Sequence, residues 1–187
     1  MQVTALAIPD VKLIVPKRFE DRRGFFVETY NKLRLAEAGI DLEFVQDNHS
    51  LSRETGVLRG LHFQVAPHAQ AKLVRVVRGS IHDVAVDIRA GSPTYGEHVG
   101  ETLSAENGAM LLVPVGFAHG FVTCEPDTEV IYKVTDYYAP DCERGIAYDD
   151  RALAIDWRLA GRAPIVSDKD RSQPHLKDAA QAFLHQG

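Results

Sequence analysis

Residues 59–79 read RGLHFQVAPHAQAKLVRVVRG. Two runs rich in Val, Leu and Phe flank a Pro-containing break at 66–68, which is the pattern of two strands joined by a loop. Working outward, the same β signal continues from FVQDNHSLS at 44–52 to TEVIYKVTDYY at 128–138, with Gly, Pro, Asn and Asp between the runs. Residues 1–15 read as extended, with a break at Pro9. PKRFEDRRG at 16–24 reads as a charged turn, and FFVETY at 25–30 as an alternating strand. KLRLAEAG at 32–39 reads as a short helix, with Asn31 as N-cap and Gly39 as its stop. Arg78-Gly79-Ser80 and Glu106-Asn107-Gly108 carry hairpin-turn residues. After Tyr138 the pattern becomes irregular, and KDAAQAFLH at 177–185 suggests a closing helix. The expectation is one all-β domain over 1–187, a sandwich or barrel with its core at about 25–138, an irregular segment at 139–187, and short helices near the two ends.

The spacing inside 59–79 narrows the barrel type. The metal-binding cupin fold, a double-stranded β-helix, places Gly, five residues, His-x-His, three or four residues, Glu, six residues and Gly in its first half, and Pro-x-Gly-x-x-His in its second. Here Gly60 and Gly79 keep the frame, but Ala66 stands at the first His, His68 at the second and Lys72 at the Glu. The second half is intact as Pro114-Val115-Gly116-Phe117-Ala118-His119. A divalent cation needs lone-pair donors, and an ammonium in the carboxylate's place repels it. The expected fold is therefore a cupin-like jelly roll that binds no metal.

Composition excludes other classes. The 187 residues carry 21 Lys+Arg against 26 Asp+Glu, a formal net charge of −5, which is unsuited to a phosphate backbone as main partner. No run approaches the roughly 20 apolar residues of a membrane helix. The opening MQVTALAIPDVKLIVPK lacks the basic, apolar and small-residue succession of a secretory signal. Cys124 and Cys142 make neither a disulfide framework nor a CxxC site. No GxGxxG, GxxxxGK[ST] or GxSxG motif occurs. A cytoplasmic enzyme or binding domain is expected.

Within the barrel, strand alternation puts Lys72 on one face with Val74 and Val76, where apolar residues or ligands belong. An isolated lysine there would run its stem along the wall. In the company of His62, His119, Arg59 and Tyr132, an electrostatic role toward a developing oxyanion becomes the better account. Strand histidines are more often hydrogen-bonded core residues than catalysts, and Tyr132 in VIYKV can serve as a packed aromatic. Their interest lies in a division of labour, with imidazole removing a proton and phenol returning one. Strict alternation sets Arg59 and His62 on opposite faces unless Gly60 carries a bulge.

Several motifs together resemble one family: Asp21-Arg22-Arg23-Gly24-Phe25-Phe26, the run FVQDNHS at 44–50, VLRGLHFQ at 57–64, Lys72-Leu73-Val74-Arg75, Asp83-Val84-Ala85-Val86-Asp87, Gly116-Phe117-Ala118-His119-Gly120-Phe121, Tyr132-Lys133, Tyr137-Tyr138-Ala139-Pro140 and Ser167-Asp168-Lys169-Asp170. Over about residues 8–170 the chain resembles the dTDP-4-dehydrorhamnose 3,5-epimerases. The resemblance implies a homodimer without metal or cofactor that inverts C3 and C5 of a dTDP-4-keto-6-deoxyhexose on the way to dTDP-L-rhamnose. It makes His62 the base, Asp170 its carboxylate partner, Tyr132 the acid and Lys72 the cation at the ketone oxygen. It puts Arg23 and Arg59 on the diphosphate and His119 in the same pocket. Phe25, Glu28, Gln46, Asn48 and Tyr138 fall around the nucleotide and sugar, some reaching across from a partner subunit. The chain departs from the family at Tyr148, where a Trp is common, and at Arg158, where a Pro is common. Three other readings compete: a single-site epimerase of a related deoxysugar, a non-catalytic sugar-binding cupin, and a metal-dependent enzyme.

Overall fold

In the computed structural model, which describes residues 1–179 and 181–185, fifteen strands and two short α-helices follow one another along the chain. An N-terminal pair, β1 (Gln2–Ala5) and β2 (Lys12–Val15), precedes a second pair, β3 (Arg18–Asp21) and β4 (Gly24–Val27), and helix α1 (Lys32–Glu37). The barrel strands are β5 (Gln46–Ser52), β6 (Leu58–Gln64), β7 (Lys72–Arg78), β8 (Ser80–Asp87), β10 (His98–Ser104), β11 (Met110–Val113), β12 (Phe117–Thr123) and β13 (Thr128–Val134). Short β9 (Arg89–Ala90), β14 (Glu143–Gly145), α2 (Asp168–Arg171) and β15 (Phe183–Leu184) complete the fold.

The strands form two facing sheets, β1-β2-β11-β7-β13-β5 and β10-β8-β12-β6-β14. Their inner faces share one core that includes Val74, Val76, Ile81, Ala85, Leu111, Phe117, Phe121 and Val130. The outer face of the five-stranded sheet is covered by the segment after β13, where Ile146, Leu153 and Trp157 pack on Leu61, Val84 and Val122. On the outer face of the other sheet, Leu35 of α1 joins Ile14, Leu73, Met110 and Leu112. Burial on both faces explains why β8, β11 and β12 are buried at every position and do not alternate with polar residues. Each such Leu, Ile or Phe contributes about 1.5–3 kcal/mol of transfer free energy. The fold is the expected cupin-like jelly roll.

Local expectations fare unevenly. Asn31 caps α1, its side chain accepting from the Arg34 N–H at 3.2 Å, and Gly39 follows the helix at φ +82°. The charged segment at 16–24 is more than a turn. Arg18–Asp21 pairs with Gly24–Val27, so the turn shrinks to Arg22-Arg23. The charges mislead because this hairpin exposes most of its side chains. Neither Arg78-Gly79-Ser80 nor Glu106-Asn107-Gly108 closes a hairpin: β7 and β8, like β10 and β11, lie in different sheets. Both turns are corners, which need the same small residues. The helix expected at 177–185 does not form. A 3-10 turn at Leu176–Asp178 leads to β15, which pairs parallel to β9, and Phe183 packs edge-on against Phe63 at 6.0 Å. So short an isolated helix is marginal, and the sheet surface offers its apolar residues better partners. Within that span, position 180 lies outside the described residues.

Candidate active site

The strand around Gly60 sets the geometry. His62 pairs with His119 and Arg59 with Phe121, so three steps on β6 match two on β12, and the extra residue is a bulge at Gly60-Leu61. Gly60 holds φ +135° against Gly120, where a Cβ would come within 2.5 Å of the Gly120 Cα. The bulge turns Arg59 and His62 toward one cavity of about 510 Å³, which they line with Lys72 of β7, His119 of β12, Tyr132 of β13 and Asp170 of α2. A smaller recess shares His62, Lys72 and Tyr132 and adds Gln46, Asn48, Tyr138 and Glu143. His62 and Tyr132 thus reach the same space from opposite sheets.

His62 Nε2 lies 2.5 Å from Asp170 Oδ1. Ser167 caps the short α2, its hydroxyl accepting from the Asp170 N–H at 3.1 Å, and so fixes the carboxylate's approach. Burial pushes the Asp170 carboxyl up, but the His62 bond and charge, the Ser167 bond and Lys169 outweigh it and hold it below the usual range. An anionic partner on Nε2 makes that nitrogen the donor and leaves Nδ1 as the basic site. Burial pushes the Lys72 ammonium down to about 8, opposed by the charges of Asp83 and Glu143. Its Nζ donates to the His62 carbonyl at 3.2 Å. Burial, more than the opposing Arg59 charge, also raises the Tyr132 phenol, which therefore stays protonated at neutral pH.

Gln46 Nε2 donates to Asn48 Oδ1 at 2.9 Å, and the Tyr138 hydroxyl donates to Glu143 at 2.7 Å. His119 Nε2 sits 2.6 Å from Asp83 Oδ1 in the buried wall. Three expected residues are not brought here. Arg23 sits in the β3–β4 turn, paired with Asp21; Phe25 lies beneath the Arg18 guanidinium at 3.7 Å; and Glu28 faces Arg34 at 3.2 Å. Sequence reasoning gave no role to Asp83, Glu143 or Lys169. Asp83 had a visible signal, an acid in register with Ile81 and Ala85 in an apolar strand. Glu143, ion-paired to Lys169 at 2.6 Å, had none in its irregular segment.

At the cupin ligand positions the donors do not fit an ion. Lys72 is itself a donor, His119 is engaged by Asp83, and His68 Nδ1 lies 3.3 Å from Asp136 in a loop. Among the described residues no three His, Cys, Asp or Glu side chains converge on one point.

Fold and cavity together define a cupin-like jelly-roll protein with ionisable side chains where the metal-binding members keep an ion. Residues 5–178 match the family described as dTDP-4-dehydrorhamnose 3,5-epimerase. The dTDP-4-dehydrorhamnose 3,5-epimerase of Pseudomonas aeruginosa is 53% identical over 180 residues, covering 96% of this chain and 98% of the relative. The dTDP-6-deoxy-D-glucose-3,5-epimerase of Legionella pneumophila, solved in complex with dTDP-4-keto-L-rhamnose, aligns with a TM-score of 0.95 at 44% identity, over 100% of this chain and 99% of the other. The Bacillus anthracis dTDP-4-dehydrorhamnose 3,5-epimerase, solved with TDP and PPi bound, aligns at 0.90 with 50% identity, over 93% and 98%. The chain belongs to the dTDP-4-dehydrorhamnose 3,5-epimerase family and is an isomerase.

Proposed function

We propose that the protein converts dTDP-4-dehydro-6-deoxy-D-glucose to dTDP-4-dehydro-L-rhamnose, inverting C3 and C5 in turn, in dTDP-L-rhamnose biosynthesis. The observation that carries this reading is the placement of His62, backed by Asp170, and Tyr132 on facing sheets around one cavity that also holds Lys72. Both C3 and C5 are α to the C4 ketone. His62 Nδ1 takes the proton from carbon, the C–H pair forms the enolate, and its charge settles on O4 against the Lys72 ammonium. Asp170 stabilises the imidazolium so formed. Tyr132 delivers its phenolic proton to the opposite face of the same carbon. The resulting tyrosinate and imidazolium reset by exchange with water, so hydrogen from solvent ends up on the inverted carbon.

Arg59 suits the diphosphate, since a guanidinium fork holds phosphate bidentately, and His119 lines the same cavity. Gln46, Asn48 and Tyr138 provide polar and aromatic surface for nucleotide and sugar. We take the enzyme to be a homodimer in which Arg23, Phe25 and Glu28 of one protomer complete the cavity of the other. We also take it to act in the cytoplasm, consistent with two free cysteines. No helix of the described residues is long and apolar enough to cross a membrane.

Turnover in deuterated water tests the reaction. Deuterium at both C3 and C5 is the expected result. Label at one carbon alone reduces the enzyme to a single-site epimerase, and no label with retained sugar binding reduces it to a binder. His62→Ala should abolish incorporation while leaving dTDP affinity nearly intact.

A further inference from the structure

Behind the cavity lining, bonded to His119, lies a buried carboxylate that takes no part in the steps above. Asp83 lies on β8 with zero exposure, aligned with the interior residues Ile81 and Ala85. Its Oδ1 is 2.6 Å from His119 Nε2, and its Oδ2 has no hydrogen-bond partner among the described residues. A buried carboxylate with a free oxygen is costly where an amide would satisfy the same histidine. The hydrogen bond to His119 alone does not account for a charge at this position.

Lys72 shares its face of β7 with Val74 and Val76, which pack in one core with Ile81 and Ala85 on Asp83's face of β8, so lysine and carboxylate project into the same interior. The other ionisable groups lining the lysine's surroundings are Arg59 and His62 of β6, His119 of β12, Tyr132 of β13, Glu143 of β14, and Lys169 and Asp170 of α2. Arg59 and Lys169 disfavour a third cation. Of the carboxylates, Asp170 is taken up by His62 and Glu143 by Lys169 at 2.6 Å. Among the described residues the Asp83 side chain is bonded only to an imidazole, and of the two charges that resist the fall of the Lys72 ammonium it is the larger.

We propose that Asp83 is a positioning residue for the epimerisation: Oδ1 fixes the His119 ring, and the carboxylate's charge keeps Lys72 an ammonium where O4 becomes an enolate. This role rests on the function proposed above. It predicts a shift in pH dependence, which a packing role would not produce.

Asp83→Asn keeps the shape and the acceptor to His119 but removes the charge. The basic limb of kcat/KM should move down by about one pH unit, a loss of about fivefold at pH 8 and almost none at pH 6. Loss by one factor at every pH overturns the proposal. Titration of the Lys72 side-chain methylene by ¹³C NMR in the full-length, substrate-free protein, with Lys72→Met giving the assignment, reads the same charge without turnover. The Lys72 titration should fall in Asp83→Asn and hold in His119→Gln, which can still donate to Asp83. An unchanged titration in Asp83→Asn sinks the idea, and Asp83→Ser serves if the Asn variant does not fold. If wild type fails to label the keto sugar, the functional reading falls, while the Lys72 titration still decides this one.

Discussion

Lys72 shows how far one side chain can set stability against chemistry. Its ammonium titrates near 8 in the folded protein, against 10.5 for a free lysine. Between these values the unfolded chain binds the extra proton, so stability rises with pH across that window, and below about pH 8 the full cost of the buried charge stands. Lys72→Met removes the cost while keeping the length of the stem. It should stabilise the protein at pH 7 by about 1 kcal/mol after discounting for solvent at the cavity, with the gain fading toward pH 10.5. The same variant should lose about 10²–10³ in kcat. Thermal melts at pH 7 and 10, beside rate measurements, check both halves; a variant less stable at pH 7 would contradict the cost assigned to this charge. The lysine was legible because the cupin spacing counts residues along a strand and needs no knowledge of neighbours. Asp83 was harder to read, since its partner His119 lies 36 positions away and becomes adjacent only when β8 and β12 pair.

Among the elements, β6 carries the decisive irregularity. Alternation alone separates Arg59 from His62; the bulge unites them, and the letters show only the glycine that permits it. Gly60→Ala would drive a Cβ to 2.5 Å from the Gly120 Cα and 2.9 Å from the His119 carbonyl, at a φ that L residues rarely adopt. The expected cost is about 3 kcal/mol or more, with activity falling further as His62 leaves its register. Gly24→Ala is the control, because φ +127° there is strained but nothing lies within 4 Å of the added carbon. Equal melting temperatures for the two variants would show that the close approach to Gly120 is not what demands glycine. The corners at Gly79 and Asn107-Gly108 read as hairpin turns for a related reason. Local turn chemistry reports that the chain bends, whereas the sheet joined by the next strand is decided by packing across the core.

At the scale of the whole molecule, the β3–β4 hairpin holds surface that the rest of the fold does not cover. Phe19, Phe25 and Phe26 are 51%, 58% and 69% exposed on it, beside Arg23, while the cavity that should hold the nucleotide lacks Arg23, Phe25 and Glu28. Three exposed phenylalanines on one two-stranded ribbon are costly in an isolated chain and suit burial against a second copy. An arrangement that exchanges hairpins would both cover them and deliver the missing side chains. Motif resemblance nominates these residues for the site but does not assign them to a protomer, because a chain's own sequence is the same on either side of a two-fold axis. Mixing two crippled proteins separates the possibilities. Arg23→Ala/Phe25→Ala and His62→Ala should each be nearly inactive alone. Unfolded and refolded together, they form mixed dimers in which one site carries both lesions and the other carries none, restoring about a quarter of the wild-type rate. If each hairpin serves its own protomer's cavity, every site in the mixture carries a lesion and the rate stays at the sum of the two mutants.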